Sequence, residues 1–168
     1  MRPKLFAPLT LITLLVSTTC FAQTITWDIT QVKTFSNKKW IEITSNITAA
    51  SDGSVTTTLL GGSDGGSGTA YDVKGMYLYQ ICVADAGTDP TNDSDLYLYQ
   101  HGSTSSYKDV LGGAGKDTID AGATLDNCFQ PYIGGTEAVM PIYGLLYQAI
   151  SGNSANGAQI QIKYYFME

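Results

Sequence analysis

The chain crowds acidic side chains into one short stretch, Asp89-Pro90-Thr91-Asn92-Asp93-Ser94-Asp95. Hard cations take about six to eight oxygen ligands, so Asp89, Asp93 and Asp95, with Asn92, form a calcium candidate. The stretch lacks the glycine and the closing glutamate of an EF-hand loop. A second candidate is Gly112-Gly113-Ala114-Gly115-Lys116-Asp117-Thr118-Ile119-Asp120. It fits the nonapeptide of calcium-binding β-rolls and offers Asp117 and Asp120. In such rolls successive turns share each ion, and here the following residues keep only Gly122 and Asp126 in step. One turn therefore supplies half a site. Both stretches also read as plain turns, because Asp, Asn and Gly favour them for local backbone reasons. Calcium is the only cofactor to which these residues point, and nothing requires one.

The residues make a poor catalytic set. His101 is the single histidine, flanked by Ser103, Thr104 and Ser105 and followed by Asp109. A nucleophile needs an activating base held by an orienting group, and no nucleophile elbow surrounds these serines. Glutamates occur only at positions 42, 137 and 168. Paired carboxylates for glycoside hydrolysis are accordingly thin. The expectation is a protein that is not an enzyme. Aromatics are the remaining chemistry. Tyrosine is rigid and amphipathic, so Tyr77, Tyr79, Tyr97 and Tyr99 are candidates for a surface that stacks on sugars or on another protein, against the simpler reading of β-propensity and core edging.

The elements that would carry these residues are extended. Side chains alternate with period two, and no segment sustains a helical period. Ile41, Ile43, Ser45 and Ile47 alternate with Trp40, Glu42, Thr44 and Asn46. Near the C-terminus Ile160, Ile162, Tyr164 and Phe166 alternate with Gln159, Gln161 and Lys163. Strands are expected near 24–34, 39–49, 53–60, 74–84, 94–100, 123–132, 138–150 and 158–167. Asp52-Gly53 reads as a tight hairpin turn. Pro141 marks its strand as an edge or a late start. Gly61 to Thr69 reads as a surface loop, and 101–122 as a long irregular connection. The pattern predicts an all-β, single-domain antiparallel β-sandwich, jelly-roll-like, with about eight strands.

Residues 1–22 read as a signal peptide: Arg2 and Lys4, then an apolar run, then Cys20-Phe21-Ala22 before Gln23. An uncleaved anchor is the competing reading, at the short limit for spanning and weakened by its Thr and Ser residues. Residues 23–168 are then one domain. Cleavage removes Arg2 and Lys4, which takes the net charge from −6 to −8, and Arg2 is the only arginine in the chain. Nucleic acid and anionic membranes both need basic surface, so neither is an expected partner. Cleavage also leaves two cysteines, Cys82 and Cys128, and export makes a disulfide between them the expectation, against two buried thiols.

Several stretches together resemble a known group. They are Ile43-Thr44-Ser45-Asn46-Ile47-Thr48-Ala49-Ala50-Ser51-Asp52-Gly53-Ser54-Val55, the Thr88-Asp89-Pro90-Thr91 loop with Asp95-Leu96-Tyr97-Leu98, Asp109-Val110-Leu111-Gly112-Gly113-Ala114-Gly115, and Ser151 to Ala158 before a final strand. Across most of residues 40–166 the chain resembles small β-rich proteins of tailed-phage genomes, taken to be virion structural components. The signal peptide and the cysteine pair depart from that group. The resemblance implies a non-enzymatic structural or assembly protein, a surface, filament or virion-like component. Secreted or held at the cell surface, it would contact itself, another surface or virion protein, or glycans. The alternative is a calcium-assisted carbohydrate-binding or adhesion module.

Overall fold

The computed structural model describes residues 24–35, 38–49, 55–60, 72–90, 93–103, 106–111, 116–119, 126–133, 136–151 and 157–168. The leader, the Asp52-Gly53 turn, the glycine-rich stretch 61–69 and Asp120 lie outside the described residues. Within them the chain is all-β, its sheets are antiparallel, and there is no helix. The strands are β1 (Thr24–Phe35), β2 (Lys38–Thr48), β3 (Val55–Leu59), β4 (Tyr77–Asp85), β5 (Ser94–Ser103), β6 (Ser106–Asp109) and β7 (Lys116–Ile119). They continue with β8 (Asp126–Phe129), β9 (Tyr132–Ile133), β10 (Thr136–Glu137), β11 (Met140–Pro141), β12 (Leu146–Ser151) and β13 (Gln159–Met167).

The first sheet runs β1-β2-β13-β4. The far side of β4 is shared by two short strands: β8 lies opposite Ile81 to Ala84, and β11 opposite Tyr77 and Leu78. The second sheet runs β3-β12-β5, and its β5 is flanked in the same way by β6 and β7. A small β9-β10 pair stands apart.

The described strands number thirteen, against an expected eight or so: the run 123–132 divides at Pro131 into β8 and β9, β10 falls between expected strands, and the other three extra strands have two local reasons. The apolar run 138–150 breaks after Pro141, because a proline cannot donate to a ladder, and its halves join different sheets as β11 and β12. Residues 101–122, read as irregular, carry the end of β5 and the whole of β6 and β7. Segments of four residues are too short for alternation to announce them.

Alternation decides which side chains enter the core. Along β13, Ile160, Ile162, Tyr164 and Phe166 are fully buried, while the residues between them are half-buried. Ile41, Ile43 and Ile47 of β2, Leu96 and Leu98 of β5, and Leu146 and Ile150 of β12 join them, so both sheets contribute to one apolar cluster. Three polar groups sit inside it. The Gln148 side-chain amide on β12 donates to Ser45 Oγ on β2 (2.7 Å), and the Tyr164 hydroxyl on β13 donates to Gln148 Oε1 (2.8 Å). One buried amide thus uses both of its ends to tie the second sheet to two strands of the first.

The disulfide expected from the cysteine count is present. Cys82 and Cys128 lie directly opposite each other on β4 and β8, with Cα atoms 4.1 Å apart. Their sequence separation of 46 residues makes the constraint worth about 4 kcal/mol in the chain-entropy account. No helix among the described residues is long and apolar enough to cross a membrane.

Burial holds the Tyr164 phenol well above the usual tyrosine range. Its folded-state pKa therefore exceeds that of the unfolded chain. The stability it contributes is intact below about pH 10 and is lost as pH rises beyond that. Tyr164→Phe leaves Gln148 Oε1 without its donor and should cost about 1–3 kcal/mol at neutral pH. The same variant should lose less stability than the parent above pH ~10. Urea unfolding at neutral and alkaline pH measures both effects. Reduction of Cys82–Cys128 should lower the unfolding free energy by about 4 kcal/mol, read by the same method with and without reductant.

Candidate functional site

The alternation that fills the core also fixes what the first sheet presents on its other face. Trp40, Glu42, Thr44, Asn46 and Thr48 of β2 take the positions between the buried isoleucines. The β2–β13 register sets Met167 beside Trp40, Tyr165 beside Glu42, Lys163 beside Thr44, Gln161 beside Asn46 and Gln159 beside Thr48. The face therefore changes character along its length, from aromatic at one end to amide and hydroxyl at the other.

The aromatic end depends on an irregularity in β4. Tyr165 pairs with Gln80 but Phe166 pairs with Leu78, so Tyr79 is an extra residue in the ladder. Such a bulge re-aims a side chain. The Tyr79 ring meets Trp40 edge-to-face, with centroids 4.9 Å apart at 82°, and lies 5.9 Å from the ring of Tyr165. The Glu42 carboxylate is set among these rings. It accepts hydrogen bonds from Thr44 Oγ1 (3.2 Å) and from the Tyr165 hydroxyl. Tyr165 and Tyr79 are both raised above the ordinary tyrosine range, first by burial and then by the Glu42 charge.

At the opposite end is a cleft of about 270 Å³ lined by Thr26, Asn46, Ile47, Thr48, Ala86 and Gln159. Among the described residues no charged one lines it. Its amides are held in place. Gln161 Nε2 donates to Asn46 Oδ1 (2.8 Å). The Gln159 backbone is clamped on both sides: its N–H donates to the Thr88 carbonyl (2.9 Å) and its carbonyl accepts from the Ala86 N–H (3.0 Å). Between those two residues Gly87 has φ +157°, and a Cβ there would run into the Gln159 side-chain amide. Glycine at 87 is what lets that amide lie against the chain.

The residues singled out by sequence are distributed as follows. Asp89 and Asp93 are exposed on the approach to β5, and Asp95 is half-buried within it. Asp117 lies on β7, directly opposite Asp95 across the β5–β7 pair. Topology thus brings one residue of each calcium candidate to the same register position. Among the described residues no group of three or more His, Cys, Asp or Glu could hold a metal ion. His101 belongs to β5, opposite Tyr107, rather than to a loop. The four tyrosines divide between the sheets. Tyr77 and Tyr79 belong to β4, while Tyr97 and Tyr99 stack on each other along β5 with centroids 5.7 Å apart. Trp40 and Glu42 carry no site signal in the sequence, and Tyr165 is one of many strand tyrosines that could edge the core or stack on a ligand. Trp40 and Glu42 stand together in the β2 alternation, but the β13 register that adds Tyr165 has no local signal.

Glu42→Gln removes the charge but keeps the shape. It should lower the pKa of both Tyr79 and Tyr165, leaving at Tyr79 the rise due to burial and at Tyr165 the rise due to burial and to Tyr79. Phenolate absorbance followed during an alkaline titration measures the shift, and an unchanged curve would contradict the placement of Glu42. No family model matches this chain, and no curated protein or solved structure matches it.

Proposed function

We propose that the processed chain is a secreted, non-enzymatic structural or assembly subunit, a component of a surface layer, filament or virion-like particle, built as a jelly-roll-like β-sandwich. Two antiparallel sheets that share one core and are bridged by Gln148 support the sandwich reading. The assembly reading rests on one observation, the β1 edge. Proteins that stay apart blunt their sheet edges with short strands, lysines, prolines or bulges. β1 carries Lys33 and a bulge beside it, but from Thr24 to Gln31 its pairing is regular. Here the far sides of β4 and β5 are covered by strands of two to four residues, and β3 has five. β1 has twelve residues and, among the described residues, pairs only with β2. An edge of that length offers a second copy a ladder of backbone donors and acceptors.

The resemblance to phage virion components points the same way, and the acidic composition, with no arginine beyond Arg2, keeps nucleic acid and anionic membrane off the list of partners. Size-exclusion chromatography with light scattering should show concentration-dependent association of the processed chain. Asp28→Lys combined with Thr30→Lys places cations at the register positions opposite Thr44 and Glu42 and should leave a folded monomer. A wild-type chain that stays strictly monomeric at high concentration would overturn the proposal.

A second reading, a calcium-assisted carbohydrate-binding or adhesion module, is favoured by the Asp95–Asp117 juxtaposition. Like charges directly opposite each other destabilise a strand pair unless something neutralises them. Millimolar calcium should then raise the melting temperature, and Asp95→Asn should abolish the rise. No thermal response to calcium would remove this reading.

A further inference from the structure

The outer face of the first sheet combines two features that assembly through β1 does not use: the ring cluster at one end and the neutral cleft at the other. We infer that this face is a calcium-independent binding site for a neutral oligosaccharide lying along β2 and β13, stacked on Trp40 and Tyr79 and hydrogen-bonded by Asn46, Thr48 and Gln159.

Three observations select that ligand class. The cleft walls are amides, hydroxyls and aliphatic carbon, which suit a ligand rich in hydroxyls and uncharged. Among the described residues no cation lines the cleft to attract an anionic ligand, and a purely apolar one would cover the Gln159 side-chain amide without matching it. The rings at the other end offer apolar faces against which the C–H surface of a sugar can pack. The carboxylate beside them is oriented in advance by Thr44 and Tyr165, so it can accept a sugar hydroxyl without further ordering. The two ends are also the right distance apart. Tyr165 and Gln159 are six positions apart on one strand, about 20 Å at the rise of an antiparallel strand, which is the length of a short oligosaccharide and not of a single sugar. The inference does not depend on self-association, since a monomer presents the same face.

The test is a titration of the processed chain with cello-, xylo-, manno- and N-acetylchito-oligosaccharides in the presence of a calcium chelator, followed by tryptophan fluorescence and calorimetry. At least one series should bind, with affinity rising from the disaccharide to longer members. Trp40→Ala and Gln159→Ala should each weaken that binding by about tenfold or more, equivalent to ~1.4 kcal/mol. Tyr97→Ala on the other sheet should leave it unchanged. Gln159 is half-buried at the cleft rim, so its variant tests the site even if Trp40→Ala folds poorly. No binding by any series, binding that survives both variants, or binding that chelation removes would each overturn the inference. The last of these would instead favour the calcium-assisted reading.

Discussion

A single amide, that of Gln148, holds the two sheets in one relation. Apolar side chains are interchangeable in what they gain from burial, and a core of isoleucine and leucine alone tolerates small slides of one sheet over the other. A buried amide does not tolerate them. Gln148 has an acceptor partner on β2 and a donor partner on β13, and moving either sheet by one residue would leave buried polar groups unmatched. The same bridge engages both β2 and β13, and a one-residue slip between those paired strands would turn the inward set of the slipped strand outward. The outer face of the first sheet, with Trp40, Glu42 and Tyr165 in adjacent positions, thus inherits its order from a hydrogen bond on the opposite side of the sheet.

The covalent link acts at a different place. Cys82–Cys128 ties β8 to β4, where the sheet would otherwise end in an edge covered only by two short strands. It closes a long loop that contains all of β5, β6 and β7, so it limits the freedom of the second sheet in the unfolded chain while holding the first sheet together in the folded one. β1 has neither device. It is the longest strand and the first of the described residues, and a bulge between Gln31 and Lys33 is its main departure from regular pairing with β2.

The architecture was legible wherever alternation ran long. β1, β2 and β13 stand within a residue or two of their expected bounds, and the cysteine pair was readable from an expected export signal whose removal would leave an even count. Short strands were not legible, because four residues of β6 or β7 give too few alternations to separate from turn chemistry. Pro141 marks an edge, and β11 stands at the end of the first sheet, but nothing local says that the two halves of that run serve different sheets. The aromatic surface was half legible. Tyr79 was singled out for its type, yet its partners were not, since only the β2–β13 register and the bulge in β4 bring Trp40 and Tyr165 to it. Likewise Asp95 and Asp117 were read as belonging to separate stretches, and pairing of β5 with β7 places them together. Composition records which residues exist, while long-range pairing decides which of them meet.

The most direct test of this account is the environment of the Gln148 side chain in solution. In NMR spectra of the processed chain, its amide protons should exchange slowly with solvent and show nuclear Overhauser contacts to Ser45 and to the Tyr164 ring. Rapid exchange, comparable to that of the half-buried Gln80 amide on β4, with no contact to either residue, would contradict the bridge and with it the arrangement of the two sheets.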